Sequence, residues 1–81
     1  LEGRVTDATG AVIAQAKVTI RNARTNVQQQ TTTNDSGLFT QPYLLPGSYD
    51  VLVESPGFRR YEQTGVGIQV QQTVRVDVQL E

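Results

Sequence analysis

Glu54 and Glu62 are the closest approach to an acid–base pair in this chain. Two carboxylates can divide general acid and general base work when a pocket holds their pKa values apart. Little else here is reactive. The sequence has no histidine and no cysteine. That removes the usual neutral-pH base, the Ser-His-Asp and Cys-His nucleophiles, thiolate metal sites and disulfides. The aspartates Asp7, Asp35, Asp50 and Asp77 form no D-x-D-x-D run of the kind that wraps calcium. The expectation is a chain with no catalytic residue, no cofactor and no metal ligand.

Charge excludes a further class. Seven basic residues face eight acidic ones, for a net charge of −1. Arg21 with Arg24, and Arg59 with Arg60, are the close basic residues, and neither makes a stripe. No nucleic-acid partner is expected. No apolar run approaches the ~20 residues that span a bilayer, so direct membrane insertion by this segment is not expected. The chain contains no methionine and reads as one domain, residues 1–81, cut from a longer protein. A chain this short buries only about 60% of its unfolded surface, so its core must be thin, in two layers. It is expected to be a monomer in isolation.

The elements that position these residues read as strands. Apolar residues alternate in Val18-Thr19-Ile20, Tyr49-Asp50-Val51-Leu52-Val53, Val66-Gly67-Ile68-Gln69-Val70 and Val74-Arg75-Val76-Asp77-Val78-Gln79-Leu80. Strands are predicted near 2–6, 16–22, 27–33, 37–41, 48–54, 58–63, 66–70 and 73–80. Asp7-Ala8-Thr9-Gly10 and Asn34-Asp35-Ser36-Gly37 share one turn design, a side-chain acceptor opening and a glycine closing, and the second is expected to be a hairpin loop. Leu45-Pro46-Gly47-Ser48 and Ser55-Pro56-Gly57-Phe58 carry the type II signature, and Gln71-Gln72 marks a last hairpin turn. The predicted core is Val5, Val18, Ile20, Phe39, Tyr49, Val51, Val53, Phe58, Val66, Ile68, Val70, Val74, Val76, Val78 and Leu80. The predicted fold is all-β: a small antiparallel Greek-key β-sandwich of seven to eight strands.

These residues carry a resemblance. Gly3-x-Val5-x-Asp7-x-x-Gly10 leads to Ile13-x-x-Ala16-x-Val18-x-Ile20. Then come Thr33-Asn34-Asp35-x-Gly37-x-Phe39, Leu45-Pro46-Gly47-x-Tyr49-x-Val51-x-Val53 and Gly57-Phe58. The pattern resembles the carboxypeptidase regulatory-like domain, which implies a transthyretin-like (prealbumin-like) sandwich over nearly the whole chain. The tail from Val66 to Leu80 is similar to the version at the N-terminus of TonB-dependent outer-membrane receptors. That implies an accessory module at the periplasmic face of the outer membrane, or on a secreted protein. The same segment around Tyr49 also resembles fibronectin type III domains, but the buried Trp usual there is missing.

The resemblance brings no catalytic set. Transthyretin-like hydroxyisourate hydrolases use histidines and a C-terminal Tyr-Arg-Gly-Ser motif, and both are absent. Related adhesin domains can crosslink a buried lysine to an asparagine. Lys17 is the only lysine, and alternation with Ala16 and Val18 points it outward. Tyr49 is expected to tie its hydroxyl to nearby backbone, as in a tyrosine corner. Two sets remain for contact with neighbouring domains of the parent or another protein. The uncharged strand with Gln28, Gln30 and Thr32 reads as a sheet edge. Leu38, Pro42, Tyr43, Leu44, Leu52 and Tyr61 are apolar residues that alternation leaves outside or in loops. A carbohydrate-binding module is the alternative, read through exposed aromatics.

Overall fold

The computed structural model describes residues 1–41, 45–69 and 74–81. They form seven strands and no helix: β1 (Glu2–Thr6), β2 (Lys17–Asn22), β3 (Gln28–Thr32), β4 (Leu38–Thr40), β5 (Gly47–Glu54), β6 (Tyr61–Ile68) and β7 (Val78–Gln79). Two sheets result, ordered β4-β1-β7 and β3-β2-β5-β6. Val18 and Ile20 of β2, with Tyr49, Val51 and Val53 of β5, line the inner face of the second sheet. Gly3 and Val5 of β1, with Phe39 of β4, face them from the first. Every predicted core residue that is described is buried, except that Phe58 and Val74 are half-buried against the core. Val70 lies outside the described residues. Ile13, Ala16 and the ring of Tyr61 join the core as well.

The two side-chain-capped turns are built alike. Asp7 Oδ1 accepts from the backbone N–H of Thr9 and Ala11 at 2.9 and 3.0 Å. Asn34 Oδ1 accepts from Ser36 and Leu38 at 2.9 and 3.0 Å. The second is not a hairpin, however. β3 and β4 belong to different sheets, so residues 34–37 carry the chain across the sandwich. Thr33 anchors the crossing from inside: its buried hydroxyl donates to Ile13 O at 2.7 Å and accepts from Ala16 N–H at 2.9 Å. A polar side chain satisfied twice can sit in the core without penalty.

Four further expectations are corrected. The runs 58–63 and 66–70 are one strand, not two, described as far as Ile68. Tyr49 pairs with Val66 but Val51 pairs with Gln63, so Thr64 and Gly65 together oppose Asp50. This is a β-bulge with Gly65 at φ +71°. One extra residue shifts the inward phase from Tyr61 and Gln63 to Val66 and Ile68, which mimics a break between strands. Residues Val66–Ile68 and the tail do not form a hairpin either, because β6 and β7 lie in different sheets; Gln71 and Gln72 are outside the described residues. Nor is the sandwich wholly antiparallel. β7 runs parallel to β1, with Val5 opposite Val78 and Thr6 opposite Gln79. The predicted strand 73–80 tracks β1 in this register from Arg75 onward, but Arg4 N–H donates to the Asp77 carboxylate at 3.2 Å instead of to a backbone carbonyl. The regular ladder is therefore confined to the last pairs. Finally, Gly57 has the φ of +84° that a type II turn requires, whereas Gly47, at +154°, already belongs to β5.

Candidate functional site

β3 lies at the edge of its sheet, and pairing parity shows what it offers. Lys17 is opposite Thr32, Thr19 opposite Gln30 and Arg21 opposite Gln28. The bonds from Asn22 N–H to Val27 O, at 2.9 Å, and from Thr33 N–H to Ala16 O, at 3.1 Å, flank this ladder. Residues 27, 29, 31 and 33 therefore turn their backbone groups toward β2. Gln28, Gln30 and Thr32 turn theirs away, to the free side. The three residues singled out on this strand are the three whose N–H and C=O groups are open. Their side chains share the outer face with Lys17, Thr19 and Arg21 of β2 and, beyond them, Leu52.

The other three edges are blunted. β4 and β7 are short. β6 carries the bulge at Gly65 and the charged Glu62, and it follows Arg59 and Arg60. Bulges, charges and shortness are how sheets discourage strand addition. β3 has none of these, and no charge lies between Arg24 and Asp35.

The apolar set does not assemble among the described residues. Leu52 lies half-buried on the outer face of the four-stranded sheet, opposite Thr19 and Glu62. Tyr61 points to the inner face opposite Val53, and its hydroxyl donates to Gln63 Oε1 at 2.8 Å. Leu38 sits opposite Arg4 on the outer face of the other sheet. Pro42, Tyr43 and Leu44 are outside the described residues.

A different apolar site lies beside β3. A pocket of about 200 Å³ opens at the end of the four-stranded sheet, lined by Ile20, Asn22, Thr25, Val27, Gln29, Leu45 and Tyr49. Val27 and Leu45 on its rim are 60% and 74% exposed. Tyr49 donates its hydroxyl to Leu45 O at 2.5 Å, the tyrosine-corner arrangement, and so holds that rim in place. The hairpin wall is held by Asn22 Oδ1, which accepts from Arg24 and Thr25 N–H at 2.9 and 3.1 Å. Sequence reasoning missed this pocket because Leu45 reads as turn punctuation ahead of Pro46-Gly47. The available signal was Val27, an apolar residue at the head of a polar edge.

Among the described residues, Glu54 and Glu62 do not share a pocket. Glu54 and Glu62 both project from the outer face of adjacent strands and are exposed. A wide depression of about 610 Å³ collects Lys17, Glu54, Phe58 and Arg60 with Gln15, Ser55 and Pro56. It brings one carboxylate and no second acid. Lys17 is exposed, as alternation predicts. Among the described residues no three potential metal ligands cluster. Arg21 pairs with Asp50 across β2 and β5 at 2.7 Å, and that bond and charge hold its guanidinium pKa further above the ordinary range. The Asp7 carboxyl is held below the ordinary range, first by the Thr9 hydroxyl, which donates to Oδ1 at 2.6 Å. Both are structural roles in a strand pair and a turn.

The family model of the carboxypeptidase regulatory-like domain matches residues 1–81, the whole chain. The chain belongs to the carboxypeptidase regulatory-like domain family. Domains of this family are accessory β-sandwich modules, regulatory rather than catalytic. No curated protein matches the chain.

Proposed function

We propose that this carboxypeptidase regulatory-like domain is a non-catalytic contact module of a secreted or outer-membrane protein, and that it engages a protein segment along β3. The observation that carries the reading is the row of open backbone groups on Gln28, Gln30 and Thr32, on the one long edge without charge, bulge or proline. Strand addition at such an edge obtains affinity from main-chain hydrogen bonds. The likeness of the tail from Val66 to Leu80 to TonB-dependent receptor domains supports a parent of that kind and a periplasmic setting. The glycan reading draws no support among the described aromatics, because Tyr49 is buried and Tyr61 and Phe58 are half-buried.

The test is a titration of the chain against the rest of its parent protein at low and high salt. Binding that changes little with salt, and is lost in Gln30→Pro, is the expected outcome. The Gln30 N–H faces away from β2, so proline there removes no ladder bond within the domain. Affinity that collapses on adding salt would point to ion pairing instead and overturn the reading.

A further inference from the structure

We infer that the pocket beneath Val27 and Leu45 reads one apolar side chain of the docked strand, and that the occupant of this edge is an extended, uncharged protein segment carrying a leucine-sized residue. The inference rests on the edge-docking reading above and adds to it which residue the partner must supply.

Register makes the connection. Residues opposite one another on antiparallel strands point to the same face. On β3 the inward positions are those paired with Ile20 and Val18, namely Gln29 and Thr31. A residue of an added strand placed opposite Gln29 therefore points inward, past the Gln41 side chain whose Nε2 donates to Gln29 Oε1 at 2.5 Å, beside the pocket that Gln29 itself lines. There it faces the exposed Val27 and Leu45, with the buried Ile20 and Tyr49 behind them. Val27 and Leu45 are two of the three large apolar residues exposed among the described residues. One site that gathers both is unlike scattered surface apolarity. Filling it would take both out of water.

Charge sets the rest of the occupant's character. None of the seven lining residues carries a charge, and the hydroxyl of Tyr49 is already committed to Leu45 O. A charged side chain entering here would lose hydration with no opposite charge to replace it. The walls are also held before binding, by the Tyr49 bond and the Asn22 cap. Less ordering is then left to oppose association.

A second copy of this chain fits the edge poorly. Two β3 strands related by a two-fold axis at Gln30 would place Thr31 of the other copy opposite Gln29, and Thr33 opposite Val27. Both are polar, and the pocket would stay unfilled. An axis at Gln28 would bring Val27 of the other copy opposite Gln29, but residues 23–25 form a turn and Asn26 has φ +61°, so only the ends of the two strands could pair. A heterologous segment with one apolar residue satisfies edge and pocket together.

The probes are three capped nine-residue peptides rich in Thr and Gln, identical except for Leu, Ala or Asp at the central position. Each is titrated into the 15N-labelled chain. The Leu peptide is expected to bind at least about tenfold tighter than the Ala peptide, since it buries roughly three more methylene or methyl groups. The Asp peptide should be weakest, and the shifts should centre on Ile20, Val27 and Gln29. Val27→Asp should erase the preference for Leu over Ala; Val27 is exposed, so this variant keeps its core. Gln30→Pro should remove all binding. Equal affinity for Leu and Ala peptides would overturn the pocket's role and leave edge docking standing. No shift along β3 with any peptide would sink both readings. A concentration-dependent dimer of the chain that Gln30→Pro abolishes would assign the edge to a second copy and overturn the heterologous occupant.

Discussion

Asp7 and Asn34 do the same work in two loops with different chemistry, and the difference is testable. Each Oδ1 receives two backbone N–H bonds, but only the carboxylate carries a charge that acid can remove. The Asp7 pKa is lowered below its ordinary 3.8 by the Thr9 hydroxyl and the surrounding N–H groups. A group whose folded pKa is depressed contributes stability that is fully present above its unfolded pKa. That contribution is lost as pH falls through the folded value. Asp7→Asn should therefore match the wild type more closely as pH drops from about 5 toward 3, with the gap in urea midpoint shrinking. Asn34 shows that an amide can hold this turn. At Tyr49 the hydroxyl has one partner, Leu45 O at 2.5 Å. Tyr49→Phe should cost about 1 kcal/mol in a urea melt. It should also loosen the Leu45 rim, visible as faster amide exchange at Gly47. The tyrosine role was legible in sequence because the ring follows a Leu-Pro-Gly turn by two residues. Thr33 was not, because nothing local distinguishes a threonine that caps two buried backbone groups from one that faces water.

At the scale of elements, β6 shows how one residue can hide a strand. Gly65 takes φ +71°, and an added Cβ would meet nothing within 4 Å. Gly65→Val should then cost only backbone strain, about 1–3 kcal/mol. Gly37 differs. Its φ is +74°, and a Cβ there would lie 2.8 Å from Val5 O and 2.9 Å from the Val12 side chain. Gly37 also accepts the Val5 N–H through its carbonyl at 2.8 Å, so the loop cannot easily move aside. Paired alanine variants should rank Gly37→Ala as the more destabilising in chemical denaturation. Equal costs would mean that the loop relaxes and that the close approach is not a constraint. Strand existence was readable from alternation in β2 and β5. The bulge was not, since a phase shift by one residue and a chain break leave the same trace in a single sequence.

For the whole molecule, closure of the three-stranded sheet depends on the C-terminal segment. Leu80 is 1% exposed, and its N–H donates to Thr6 O at 2.8 Å. Leu80→Ala should cost about 2–5 kcal/mol, as for other buried leucines. That is a large share of the stability of so small a domain, of order 5 kcal/mol. Thermal melts of this variant beside Glu81→Ala separate the two terminal residues, because Glu81 is exposed and should be near neutral. A Leu80→Ala variant that melts like the wild type would mean that the tail is dispensable to the sandwich.

Alternation, turn chemistry and family pattern are local properties, and they were enough to determine an all-β sandwich, its inward residues and the polar edge at 28–32. Absent histidine and cysteine were enough to narrow the chemistry. Which sheet each strand joins was decided only in three dimensions. Local sequence does not distinguish a loop that folds a strand back beside itself from one that carries it across the core, as residues 34–37 do. The parallel pairing of β7 with β1 joins strands far apart in sequence, Val5 with Val78. The pocket at Val27 and Leu45 has the same origin. Its walls come from β2, the β2–β3 hairpin and the entry to β5, and only packing brings them around one space.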